Sequence, residues 1–238
     1  MEDPEYELMD AVETTMWWYR ALHRRLIDAL ADVTGSVLDA GCGTGGMLAR
    51  IARERPDLWA CGADIFPWAA ARAGLKSGGS AVCASVLKLP FADGAFDAVL
   101  SADVLCHKSL EPAEALQEFS RVLKPGGRLV LNMPAFNWLL SAHDARVHNA
   151  RRTTAGELRD VLTANGFGAV RTMYWNSLLL PLMILERKVL ARRASAASDV
   201  KPFPPTIEAI LFAVTELERT VRLRAPAGGS VLAIAHRM

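Results

Sequence analysis

Short apolar runs alternate with longer amphipathic ones along most of this chain, and the alternation predicts its architecture. From Thr14 to Leu30, apolar Trp18, Leu22, Leu26 and Leu30 recur every four residues with arginines on the other faces, the period of a helix. Gly35 ends that segment, and Ser36-Val37-Leu38-Asp39-Ala40 reads as a short buried strand. A glycine-rich turn and a helical stretch closed by Pro56 come next. Further strands are expected at Leu58–Asp64, Ala81–Ser85, Phe96–Ala102 and Arg128–Asn132. Helices are expected from Pro67 to about Lys76 and from Pro112 to Leu123, with turns at Ser77-Gly78-Gly79 and Pro125-Gly126-Gly127. Strands alternating with helices of this length predict an α/β fold, a doubly wound and mostly parallel seven-stranded sheet with helices on both faces.

Beyond Asn132 the rhythm loosens. Pro134 to Asn149 reads as a loop rich in aromatic residues and histidine. Thr154 to Asn165 is a helix with Thr153 or Thr154 as N-cap and Gly166 as its stop. Ala169–Trp175 and Ser230–His236 complete the strands. Between them lie an apolar stretch, Leu178–Leu190, an Ala/Ser/Pro-rich connection from Ala194 to Pro205, and a helix from Thr206 to Arg224, together a helical insertion before the last strand.

Composition narrows the partners. The chain has 238 residues, 51% hydrophobic and 22% charged, with 27 basic against 26 acidic side chains. A net charge of +1 is far from the excess needed to neutralise many phosphates, so no nucleic-acid partner is expected and a small molecule is. Cys42, Cys61, Cys83 and Cys106 show no metal or redox spacing, and three of them lie in apolar runs as core residues would. No acidic cluster suits magnesium, so no metal is expected. The acidic start MEDPEYELMD is unlike a secretion signal. The strongest apolar run, Leu178–Leu185, is too short for a membrane span and is broken by Pro181, so the expected location is cytoplasmic with no transmembrane segment.

The chemistry concentrates in Val37-Leu38-Asp39-Ala40-Gly41-Cys42-Gly43-Thr44-Gly45-Gly46, a buried strand running into a bare turn and then a helix. Without a Cβ the backbone can bend tightly and approach a ligand closely. Asp64, ending the next strand, can accept hydrogen bonds from both hydroxyls of a ribose. Together these features predict an adenosine-containing ligand at the carboxyl ends of the strands, either NAD or S-adenosylmethionine.

VLDAGCGTGG closely resembles motif I of the class I S-adenosylmethionine-dependent methyltransferases. Ser85-Val86-Leu87-Lys88-Leu89-Pro90-Phe91, Phe96-Asp97-Ala98-Val99 and Arg121-Val122-Leu123-Lys124-Pro125-Gly126-Gly127 resemble further segments of that superfamily in the same order. The resemblance covers about residues 35–175 and implies a Rossmann-like methyltransferase fold. It implies that Gly41, Gly43 and Gly45 pack on the methionine part of the cofactor, with Asp39 and Ala40 at the base of that bend. Asp64 would hold the ribose and Ile65 the adenine face. Ser85, where the superfamily usually has Asp, and Val86 would meet the adenine amino group, and Ser101 would end the fourth strand beside the methyl. His143-Asp144 to Arg151-Arg152-Thr153 resembles an element of part of the superfamily, with Asn149 and Thr153 replacing its His and Tyr. The chain is expected to be one domain: an N-terminal helical lid (1–34), a cofactor-binding core (35–175), a helical insertion or cap (176–229) and the last strand (230–238).

The activity so implied is methyl transfer from S-adenosylmethionine to a small, partly apolar acceptor, leaving S-adenosylhomocysteine. O-methylation is the first reading, and C- or N-methylation stays open. A hydroxyl acceptor must lose a proton, for which His107 and His143 are the candidate bases. Trp18, Tyr19 and Arg20 form an aromatic-basic cluster suited to a lid. Two rivals share the pocket: binding or cyclisation without methyl transfer, and an NAD-dependent oxidoreductase. Monomer and homodimer both stay open.

Overall fold

In the computed structural model, residues 3–141, 144–145, 148–187 and 203–238 are described. Seven strands form one sheet in the order β3-β2-β1-β4-β5-β7-β6. They are β1 (Gly35–Ala40), β2 (Leu58–Asp64), β3 (Ser80–Cys83), β4 (Phe96–Ala102), β5 (Leu123–Pro134), β6 (Phe167–Trp175) and β7 (Ser230–Arg237). The first five run parallel, and β7 is antiparallel to both β5 and β6. The doubly wound, mostly parallel seven-stranded sheet expected from the sequence is the one observed.

The alternation of side chains along each strand divides the core in two. Leu38, Val99, Leu129, Leu131 and Ala233 share one face with Leu116 and Phe119 of α5 (Pro112–Val122) and Leu158 and Leu162 of α6 (Ala155–Ala164). Val37, Ala98, Leu100, Val130 and Leu232 face the other way, onto Leu22 and Leu26 of α2 (Trp17–Ala29) and Met47 and Ile51 of α3 (Gly46–Glu54). Central strands buried on both sides must be apolar at consecutive positions, which is why they read as runs. Phe119 is wholly buried. Phe119→Ala should cost about 3–5 kcal/mol, read as a lowered midpoint in urea at unchanged slope.

Element ends differ from the sequence expectation for local reasons. The acidic N-terminus forms a helix of its own, α1 (Asp3–Val12), and a turn through Glu13-Thr14-Thr15 delays α2 to Trp17. β3 lies one to two residues earlier than expected. β5 starts at Leu123, before Pro125-Gly126-Gly127, because its pairing with β4 slips between Phe96 and Ala98 and absorbs the irregular backbone. Thr154, not Thr153, caps α6 in a reciprocal arrangement with Glu157. Of the expected Leu178–Leu190 stretch, α7 covers Leu180–Leu185, and residues 188–202 lie outside the described part. α8 spans Pro205–Thr220 and stops short of Arg224. Arg222 turns left-handed (φ 53°), so that Leu223 N–H donates back to Glu218 O at 2.9 Å. Cys42, Cys61 and Cys106 are buried and Cys83 is exposed; all four are free thiols.

Register brings the chemistry to one sheet end. Gly41 follows β1, Asp64 ends β2, Asp103 follows β4, and Pro134 pairs with Ser230 where β7 begins.

Candidate active site

A cavity of about 670 Å³ opens at that end, within the range of small-ligand sites. One end is built by the bend after β1. Gly41 and Gly43 have φ of 85° and 52°, and a Cβ on either would collide with Val104 or Met9. The bend is fixed by Gly41 N–H and Cys42 N–H, which donate to Ala63 O at 2.7 and 3.0 Å. Asp64 (5% exposed) braces it from β2: Oδ2 accepts from Gly43 N–H at 2.9 Å and Oδ1 from Phe66 N–H at 3.0 Å and the Tyr6 hydroxyl at 3.4 Å. Burial raises the Asp64 carboxyl despite these donors. Glu13, between α1 and α2, meets the start of α3, accepting from the Thr44 hydroxyl at 2.7 Å and Gly46 N–H at 3.1 Å while pairing with Lys76. A carboxylate there complements the helix dipole.

Asp39 is the anomaly of this end. It is buried, and Oδ2 has no hydrogen-bond partner among the described residues. Burial first, then the like charges of Asp64 and Glu13, push its carboxyl up to about 7. A buried carboxylate oxygen left unpaired is costly, so the site is short of one donor or cation.

The neighbouring strand β4 brings a further carboxylate to the cavity, one that the sequence reading passed over. Asp103 follows β4 with φ 54°, in the left-handed region that asparagine, aspartate and histidine occupy more readily than other side chains. Its Oδ1 accepts from Asn132 Nδ2 at 2.9 Å, and Asn132 Oδ1 in turn accepts from Trp175 Nε1 at 2.8 Å. Asp103 lines the cavity and retains some exposure there. Enclosure raises its carboxyl to about 7, against the Asn132 hydrogen bond and the Arg152 charge and with the help of Asp144. The sequence carries no signal for it: without the backbone angle, Asp103 reads as an ordinary loop acid.

Around it, Asp144 and Arg152 form a buried pair, Nη2 donating to Oδ1 and Oδ2 at 2.8 and 2.9 Å and Nε to Oδ1 at 3.1 Å, and Arg187 reaches Asp144 at 3.4 Å. Burial works against ionisation of Asp144, yet the two guanidiniums hold it below the usual carboxylate range. Cys106 Sγ donates towards Asp103 O and Asn149 Oδ1, and burial raises its thiol far above the ordinary range, which makes it a poor nucleophile. His23 lines the cavity as a neutral imidazole, since burial and Arg50 push it down to about 3.

The residues singled out in the sequence are only partly gathered here. Asp39, Gly41, Gly43, Asp64, Ile65, Ser85, Val86, His107, Trp18 and Tyr19 all line the cavity. Ser85 Oγ accepts from Leu87 N–H at 3.2 Å. Ala40 and Ser101 stand behind the wall, the Ser101 hydroxyl donating to Ala40 O at 2.8 Å. Gly45 caps α3 against Ala73 of α4 (Pro67–Ser77). Arg20 turns away, its guanidinium 3.9 Å from the Phe212 ring centre on α8. His143 lies outside the described residues. No cluster of metal-ligating side chains occurs among the described residues.

A bare bend after the first strand and an acid one strand over, at the carboxyl ends of a doubly wound sheet, define an α/β protein of the nucleoside-binding class. Residues 38–131 match the family of methyltransferase domains. That match and the methyltransferases among its relatives support the class I S-adenosylmethionine-dependent methyltransferase superfamily for this stretch of the chain. It is 40% identical over 96 residues (40% of this chain, 36% of the relative) to a malonyl-[acyl-carrier protein] O-methyltransferase of Herminiimonas arsenicoxydans. The fold resembles a SAM-dependent methyltransferase from Archaeoglobus fulgidus (TM-score 0.64, 18% identity, 99% of this chain and 100% of that one). It also resembles the [4+2]-cyclase SpnF (TM-score 0.62, 21% identity, 98% and 94% covered). The chain spans 29% to 61% of the length of the curated relatives it matches.

Proposed function

We propose that this chain transfers a methyl group from S-adenosylmethionine to an oxygen of a small, partly apolar acceptor, with Asp103 taking the proton. One observation carries the reading: a single cavity is lined by an unsatisfied acid at a bare bend and by a second carboxyl, Asp103, raised to about 7. The donor fits the side formed by the bend. Its cationic methionine part would meet the orphaned Asp39 oxygen, and Asp64, with lone pairs beyond those already used, would take the ribose. Ile65 and Val86 would border the adenine. When bound, the donor supplies a sulfonium-activated methyl, whose carbon–sulfur bond breaks with its electron pair on sulfur as the acceptor oxygen bonds carbon.

The protein's part is alignment and proton removal. Asn132, itself held by Trp175, fixes the Asp103 carboxylate, and the aromatic wall of Trp18 and Tyr19 excludes water from the reacting end as a lid would. His107 shares this cavity and is the competing proton acceptor. Arg20, above Phe212, belongs to the α2–α8 contact rather than to the lid.

With S-adenosylhomocysteine at about 100 times its dissociation constant, the melting temperature should rise by roughly 5–10 °C, and NAD should leave it unchanged. The reverse pattern would remove the methyltransferase reading. The likeness to a cyclase favours a second use of the same pocket, rearrangement of a bound molecule without transfer. Mass spectrometry with labelled donor separates the two, since only transfer adds a methyl to the product.

A further inference from the structure

A helix packed on a protein surface ordinarily turns its aliphatic side inward and its charges to water. α8 is built the other way round. Its charged side chains all face the protein. Glu208 accepts from Trp17 N–H at 2.6 Å, Glu216 pairs with Arg24 at 2.5 Å, and Arg219 reaches Asp28 at 2.8 Å. Glu218 lies 3.8 Å from the buried Arg25 and accepts from Leu178 N–H at 2.5 Å. None of the exposed positions of α8 carries a charge, and Ile207, Ile210 and Leu217 are 42%, 62% and 54% exposed. α7, which begins two residues after Leu178, exposes Leu182 and Leu185 as well. Helix propensity and core packing do not explain an uncharged outer face. It needs a partner poorer in water than the solvent.

Magnitudes decide which partner. A 16-residue helix is about 24 Å long and about 10 Å wide, so its outer face offers about 240 Å². Even with the six residues of α7 added, two such faces bury about 700 Å², well below the roughly 1,200–2,000 Å² of a stable protein interface. A lipid surface needs no matching partner and accepts an apolar helix face through area alone, aided by basic residues at its margin. Arg222 and Arg224, exposed just past α8, supply that margin. Phe203, before α8, is both exposed and part of the cavity wall, and Met183 of α7 lines the same cavity. The outer face therefore runs up to the cavity.

We propose that α8 and α7 seat this protein reversibly on an anionic lipid surface, with the cavity wall at Phe203 and Met183 lying at that surface. This docking is independent of methyl transfer, and its test uses no donor. The full chain is sedimented with vesicles of mixed phosphatidylcholine and phosphatidylglycerol, beside the double variant Ile210→Glu, Leu217→Glu. Both positions are exposed, and thermal melts verify that the variant folds. The wild type should co-sediment, the double variant should partition at least about 10-fold less, and added salt should weaken the wild type. Failure of the wild type to bind, or equal binding by the variant, overturns the proposal. So does a dimer in sedimentation velocity that the double substitution dissociates, since that result would assign the face to a second copy.

Discussion

Asp103→Asn should lower kcat by about 10²- to 10⁴-fold while leaving the affinity for S-adenosylhomocysteine within a few-fold of wild type. The substitution keeps the shape and removes only the capacity to take a proton. Because the Asp103 carboxyl is raised to about 7, wild-type kcat should climb with pH up to that value and then level off, and this limb should vanish in the variant. His107→Ala makes the comparison decisive. If His107 is the acceptor, its loss removes the limb and Asp103→Asn retains it. A purely structural role for Asp103 would lower stability and leave the shape of the pH profile intact.

Asp39→Asn should move stability and affinity in opposite directions. In the ligand-free protein the raised carboxyl keeps its proton between about pH 4 and 7, a window in which the unfolded chain has released it. The folded state thus binds more protons there, and its stability falls as pH rises through the window. Asparagine has no proton to lose, so the variant should melt higher than wild type at neutral pH and by a margin that shrinks towards pH 4. Differential scanning calorimetry across the window reads this directly. Donor affinity should fall by about 10- to 100-fold, as expected when a charge-assisted contact to a cation becomes a neutral one. Equal affinity in titration calorimetry would show that the orphaned oxygen does not meet the donor.

The sheet and its glycine bend were legible in the sequence because their causes are local. A parallel strand buried on both faces must be apolar throughout, and a close turn must lack side chains, so Val37–Gly46 announces both. What escaped depends on distant partners. Arg25 reads as a solvated face of α2 and is buried because α8, almost two hundred positions later, brings Glu218 and the Thr215 carbonyl to it. Arg20 reads as part of a lid and is drawn instead to Phe212. Asp103 gains its character from Asn132 and Trp175, on two strands that sit apart from it in the sequence. Ser101 stands behind the wall, its hydroxyl taken by Ala40 O, and the next two residues, Ala102 and Asp103, line the cavity instead.

The segment between β6 and β7 leaves and rejoins the sheet at nearly the same point, where Gly229 N–H donates to Asn176 O at 3.2 Å. An excursion with its two feet clasped can be lengthened, shortened or exchanged at little entropic expense, because closure cost grows only with the logarithm of length. Change can thus accumulate on one side branch while the strands that carry the glycine bend stay untouched.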